Sequence, residues 1–264
     1  MIVRATPTQN DAAVAAFTPL DPRETALLLD FDGTLVDIAP TPDAVHVPDN
    51  LRDTLARLLA STGGALALVS GRTIEDLDDK LAPLVLPIVG GHGAEMRVRD
   101  GEIVSAVPPL PEPLRRRLAR AADFDRGILI EDKGYSLALH YRNAPDAEER
   151  LRAYVRSTCA AFAGEPLQVL AGKALFEVKR PGVSKGESVR ALLLHAPFAG
   201  RKPVFIGDDV TDETVFAVLP ALGGIGFSVQ RKFDPLAGIF DSPEAVREAL
   251  ARLAQASESR GAQA

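Results

Sequence analysis

Three short runs, residues 26–29, 65–69 and 203–206, are apolar at every position and lack the polar alternation of a strand that faces water. Strands of this kind are buried on both faces, which requires a sheet covered by helices on both sides. The segments between them carry helical patterns. Leu51, Leu55, Leu58 and Leu59 fall at helical spacing, and Pro48 and Asp49 mark the start. Ser184-Lys185-Gly186-Glu187 has the form of a capping box, followed on one face by Val189, Leu192 and Leu193. Thr211 is expected to open a further helix whose apolar face carries Val215, Phe216 and Leu219. Strand–helix–strand succession predicts an α/β fold, a doubly wound, Rossmann-like core around a parallel sheet.

The middle of the chain follows another pattern. A helix over 114–122, strands over 127–131 and 135–141 joined at Lys133-Gly134, a helix over 147–162, and strands near 167–170 and 174–179 are expected. Ser136, Ala138 and His140 alternate with Tyr135, Leu137, Leu139 and Tyr141, the signature of a sheet with one covered and one open face. Val107-Pro108-Pro109-Leu110-Pro111 is a stiff connector. The expected organisation is a core of residues 1–107 and 175–264 with a smaller α+β domain, 108–174, inserted into it. Residues 254–264, small and polar, are expected to fray.

A net charge of −6 argues against sequence-independent nucleic-acid binding, which needs a basic face. Cys159 is the only cysteine, so neither an intrachain disulfide nor a thiolate zinc site can form, and it reads as a small core residue of a helix. No apolar run approaches the roughly 20 residues of a membrane span. Pro7, Asn10 and Asp11 interrupt residues 1–20, which do not read as a secretory signal, so a cytoplasmic location is expected.

The chemistry concentrates at strand ends, where open α/β sheets bind ligands. The first run ends in Asp30-Phe31-Asp32-Gly33-Thr34, two carboxylates that project alike if the chain stays extended, then a glycine for a sharp turn. The bland alternative is a solvated turn. The third run ends in Gly207-Asp208-Asp209-Val210-Thr211-Asp212, which helix capping alone could explain. If the two strands are neighbours, however, five acids converge, and a bound cation is the economical answer to their repulsion. All-oxygen ligands around an open site favour Mg²⁺. The second run ends in Ser70-Gly71-Arg72-Thr73, a hydroxyl and exposed N–H groups at a helix start, which suit an anion. Lys185 follows the cap of its own helix, where the dipole disfavours a cation unless an anion is close.

Asp30-Phe31-Asp32-Gly33-Thr34, Ser70, Lys185 and Gly207-Asp208-Asp209, in that order, resemble the four motifs of the haloacid dehalogenase-like hydrolases. More narrowly, the chain resembles the trehalose-6-phosphate phosphatase family over nearly its whole length. That likeness is carried by Ser70-Gly71-Arg72, Gly91-His92-Gly93-Ala94-Glu95, Glu131-Asp132-Lys133, His140-Tyr141-Arg142, Glu177-Val178, Gly182-Val183-Ser184-Lys185-Gly186 and Gly207-Asp208-Asp209-Val210-Thr211-Asp212-Glu213. It departs at Gly90-Gly91-His92, where many members carry asparagine before the histidine.

The resemblance implies a phosphatase in which Asp30 is the nucleophile and Asp32 the general acid and base. Ser70 and Lys185 would hold the phosphoryl group. Mg²⁺ would be bound by Asp30, the Asp32 carbonyl and Asp208, with Asp209 and Asp212 behind them. The inserted domain becomes a cap that reads the substrate, a phosphorylated disaccharide. Gly33, Arg72, Glu131, Lys133, His140, Arg142 and Glu177 form the expected substrate-binding set. Functional coupling to a trehalose-6-phosphate synthase is implied as well. The alternatives are a phosphatase for sucrose phosphate or mannosylglycerate phosphate, a phosphomannomutase, and a sugar-phosphate-binding regulatory partner without activity.

Overall fold

In the computed structural model, which describes residues 8–99, 103–105, 107–172, 174–234 and 236–261, the chain divides into two units. One is Met1–Val104 with Ser184–Ala264, the other Ser105–Val183. The first unit opens with α1 (Gln9–Phe17), β1 (Thr25–Leu29), α2 (Asp49–Ser61), β2 (Leu66–Val69), α3 (Ile74–Leu81), β3 (Ile88–Gly90) and β4 (Glu95–Arg97), with β5 (Ile103–Ser105) at the crossing. The inserted unit holds α4 (Glu112–Ala119), β6 (Leu129–Asp132), β7 (Ser136–His140), α5 (Glu148–Ala160), β8 (Gln168–Gly172) and β9 (Leu175–Lys179). The first unit resumes with α6 (Lys185–Leu192), β10 (Lys202–Gly207), α7 (Glu213–Val218), β11 (Ile225–Val229), β12 (Gly238–Phe240) and α8 (Pro243–Gly261).

The large sheet runs β12-β11-β10-β1-β2-β3-β4-β5, parallel from β12 to β3, with β4 antiparallel to β3. The middle stretches of β1, β2 and β10 are apolar at every position because each face meets helices. Leu27 and Leu29 of β1, Leu66 and Leu68 of β2, and Val204 and Ile206 of β10 pack on α1, α2, α3 and α8. Their neighbours Ala26, Leu28, Ala67, Val69 and Phe205 pack on α6 and α7. The chain leaves β1 toward β2 and β3 on one side and returns to β10 on the other. The β1/β10 boundary is thus the point where strand order reverses, and the crevice beyond the strand ends opens there.

Several expectations are corrected. The helix expected from Thr211 is present, with Val215, Phe216 and Leu219 buried, but its start differs: Asp209 caps a short 3₁₀ turn, Val210–Asp212, and α7 follows it. Residues 254–261 are not frayed. They belong to α8, where Leu253 and Ala254 are buried and Glu258 pairs with Arg57 of α2, while 262–264 lie outside the described residues. The segment before β1 contributes α1, whose Phe17 meets Phe227 and Phe240 edge-on. Among the described residues no helix is long and apolar enough to cross a membrane.

The inserted unit is an antiparallel sheet, β6-β7-β9-β8, with α4 and α5 on one face. Leu137, Leu139, Phe176 and Val178 point into that core together with Leu114, Leu118, Leu151 and Val155. The expected end of the unit at 174 does not hold. Strand β9 pairs with β7 on one side and β8 on the other, so it belongs to this sheet and the unit closes at Val183. Arg180 ties the unit's two ends: Nε and Nη2 donate to the Pro108 and Pro109 carbonyls, and Nη1 to Glu165. All three tyrosines, Tyr135, Tyr141 and Tyr154, lie in this unit, and the chain has no tryptophan.

Candidate active site

Asp30 ends β1 and is almost fully buried, its backbone N–H donating to the Ile206 carbonyl of β10. Lys185, in the first turn of α6, donates to Asp30 Oδ1 and to Asp212 Oδ1, each at 2.7 Å. The anion that a cation at a helix start calls for is therefore supplied twice by the chain itself. Ser184 fixes that turn by accepting from the Glu187 N–H. A Cβ on Gly186 would lie 2.1 Å from the Thr214 carbonyl oxygen, so only glycine lets α6 approach α7 this closely and aim Lys185 inward.

Asp212 is committed elsewhere. Its Oδ2 accepts from the N–H groups of Asp208 and Asp209, both at 3.0 Å, which pins the loop after β10. Asp208 accepts from the Thr34 hydroxyl at 3.2 Å. Gly33 has φ +77°, and a Cβ there would stand 2.2 Å from Asp208 Oδ2, so the turn after Asp32 leaves room for that carboxylate only because residue 33 has no side chain.

Of the five acids expected to converge, Asp30, Asp208 and Asp212 do, with one oxygen of each within 4.8 Å of the others. The carboxylates of Asp32 and Asp209 are not in this group. Asp209 is largely exposed, caps Val210 and faces Arg231 at 3.9 Å. Asp32 is turned to Arg72, whose Nε and Nη2 donate to its two oxygens at 2.6 and 2.8 Å. Burial pushes the Asp30 carboxyl well above its usual range; Lys185 opposes this, while Asp212 and Asp208 add to it. Burial, then Asp212, raise Asp208 to about 6. Burial works against the charge on Lys185, but Asp30 and Asp212 prevail and its pKa is raised. Crowded oxygen donors that resist ionisation suit a hard divalent cation.

Ser70, at the end of β2, is buried, and its Oγ accepts from the Arg72 N–H at 3.1 Å. Three participants carried no assigned role in the sequence. Thr34 had no local signal, since its partner Asp208 is 174 residues away. Asp76, which takes Arg72 Nη1 at 2.5 Å, follows Arg72 at i,i+4, a spacing readable in advance. Glu95 caps the Ile74 N–H of α3 from β4.

In the inserted unit, Glu131 of β6, Ala138 of β7 and Glu177 of β9 stand in one row across the sheet. Their side chains lie on the face opposite the one that packs on α4 and α5. Lys133 Nζ lies 3.3 Å from Glu131 Oε1 and His140 Nε2 3.1 Å from Glu131 Oε2. The His140 hydrogen bond and then Lys133, against the cost of burial, lower the Glu131 carboxyl to about 2. Arg142 is exposed beyond β7.

The chain matches the family described as trehalose-phosphatase over residues 28–235. It is 41% identical over 232 residues to a probable trehalose-phosphate phosphatase of Sinorhizobium fredii, covering 87% of each chain. It is also 41% identical over 208 residues to the trehalose-6-phosphate phosphatase of Escherichia coli, covering 77% of each. Among solved structures, the C-terminal domain of the C. albicans trehalose-6-phosphate phosphatase shares the fold with a TM-score of 0.74 at 23% identity, over 96% of this chain and 99% of that one. A haloacid dehalogenase-like hydrolase from Bacteroides thetaiotaomicron does so at 0.62 and 18%, over 87% and 99%. The chain therefore belongs to the trehalose-phosphatase family and is a phosphatase on a haloacid dehalogenase-like scaffold.

Proposed function

We propose that the chain hydrolyses trehalose 6-phosphate to trehalose and phosphate, through an aspartyl-phosphate on Asp30 and with Mg²⁺ as cofactor. The observation that carries this reading is the buried cluster of Asp30, Lys185, Asp212 and Asp208 where strand order reverses, in a chain whose relatives are named for that activity. The Asp30 carboxylate attacks phosphorus in line, the bond from phosphorus to the sugar oxygen breaks, and Asp32 gives that oxygen its proton. Asp32 then takes a proton from the water that attacks the same phosphorus, and the bond to Asp30 breaks to release phosphate.

Attack requires ionised Asp30, and the charge of Lys185 opposes the burial that works against it, a task in which a bound cation would assist. Ser70, Lys185 and backbone N–H groups near Asp32 hold the transferring group. Mg²⁺ would be held by Asp30, Asp208 and the Asp32 carbonyl, with Asp212 behind them, and would supply charge neutralisation at the phosphoryl oxygens; Asp209, turned to Arg231, drops out of the expected set. The inserted unit, residues 105–183, is the cap. Glu131, Lys133 and Glu177 accept from and donate to hydroxyls of the distal glucose, with Arg142 nearer the phosphate.

The test is phosphate release from trehalose 6-phosphate and from glucose 6-phosphate, with Mg²⁺ and with excess chelator. Turnover should need the metal, favour the disaccharide strongly, and fall by more than ~10²-fold in Asp30→Asn. Full activity in chelator would overturn the metal assignment. Equal cleavage of glucose 6-phosphate would overturn the substrate while leaving a phosphatase.

A further inference from the structure

Asp32 carries both proton transfers proposed above, yet its side chain is 36% exposed, in contrast to the buried Asp30. A carboxylate in such a position is free to rotate unless something holds it. Both of its oxygens are met by one residue, Arg72, through two N–H···O bonds. The guanidinium is 9% exposed, its Nη1 is bonded to Asp76, and it lies over the Phe31 ring, 5.7 Å from the centroid. Asp76 is fixed in turn, in the first turn of α3, where its N–H donates to Thr73 Oγ1 and Lys80 Nζ stands 3.7 Å from its other oxygen.

We infer that Arg72 is a positioning residue of the reaction, which aims the Asp32 carboxylate at the leaving oxygen while Asp76 anchors Arg72. A planar fork bound to a carboxylate through two parallel bonds fixes the plane and direction of that group, whereas an ammonium fixes little beyond distance. The brace runs from the end of β1 through the end of β2 to α3, three elements of one unit. Orientation of this kind is a substantial part of what a positioned acid contributes. Arg72, expected from the sequence to touch substrate, acts here through Asp32.

The inference rests on the acid role of Asp32, and one set of measurements separates the two. kcat/KM is compared across phosphate monoesters, from trehalose 6-phosphate and simple alkyl phosphates to 4-nitrophenyl phosphate, whose leaving anion needs no proton. Arg72→Gln should lose ~10²-fold more on the alkyl esters than on the nitrophenyl ester, a typical worth for general acid catalysis. Arg72→Lys, which restores charge without the fork, should stay close to Arg72→Gln. Asp76→Asn should show the same pattern more weakly. In Asp32→Asn, adding Arg72→Gln should cost nothing further, because the two act as a unit.

An equal loss on both ester classes, a raised KM with kcat intact, or an additive double variant would overturn the inference. If Asp32→Asn itself showed no dependence on the leaving group, the acid role of Asp32 would fall first. Should Arg72→Gln fail to fold, Arg72→Lys and Asp76→Asn carry the same comparison.

Discussion

Lys185 holds together the acidic cluster at the ends of β1 and β10. It is 3% exposed, it sits at a helix start where the dipole opposes it, and two carboxylates compensate it. Lys185→Met keeps the length of the side chain and removes the charge. Asp30 and Asp212 would then be buried unpaired, at a cost of about 3–5 kcal/mol of folding free energy in chelator. Mg²⁺ should recover part of that loss by supplying the missing charge, so urea unfolding with and without the metal is the check. An unchanged midpoint in chelator would show that another group compensates these acids. Much of this site is legible in the sequence, because Asp30, Ser70, Lys185 and Asp208 each follow an apolar run or a cap signal. The pairings are not. Nothing local tells Asp32 from Asp30, and it is the contact with Arg72, 40 residues on, that turns one outward to a brace while the other stays buried.

At the scale of elements, the face of the inserted sheet turned away from α4 and α5 carries its own ion network. The Glu131 carboxyl, lowered from 4.5 to about 2, is more easily ionised folded than unfolded. Its contribution to stability is therefore fully present above about pH 4.5 and is lost as pH falls through about 2. Glu131→Gln should flatten that part of the acid unfolding profile, read by circular dichroism, and His140→Ala should flatten it partly. If the profiles of wild type and Glu131→Gln ran parallel, the pairing with His140 and Lys133 would not persist in solution. Strands β1, β2 and β10 were readable because burial on both faces leaves each an unbroken apolar run, 26–29, 65–69 and 203–206, with Thr25 and Lys202 only at the strand starts. β7 was readable from the alternation of its side chains, but the face expected to be open is not open along this strand: Ser136 and Ala138 are buried, and only His140 is partly exposed. β11 does alternate, Ile225, Phe227 and Val229 with Gly226 and Ser228, a signal that could have marked it in advance, whereas the three-residue β12 is too short to show a pattern; Phe17 of α1 packs on Phe227 and Phe240. The sequence of α8 is rich in alanine, so its buried stripe, Val246, Ala249, Leu250 and Leu253, is too weak to stand out among small residues.

For the whole molecule, the inserted unit has its own core and its ends are clasped by Arg180, so residues 105–183 should fold as an isolated fragment. Cooperative thermal unfolding of that fragment is the expected result, and a featureless melt would show that it depends on the rest of the chain. The central pairing of the large sheet sets the opposite requirement, since β1 joins β10 only after everything between them has been traversed. Closing so long a loop is slow, whereas the hairpins of the inserted unit close locally. The chain carries its own means of seeing this order. With no tryptophan and with Tyr135, Tyr141 and Tyr154 all inside the inserted unit, tyrosine emission is a private signal of that unit, while catalytic activity reports the sheet. On dilution from denaturant the emission should settle first and activity return later, so a single optical trace of this protein records the folding of less than a third of its residues.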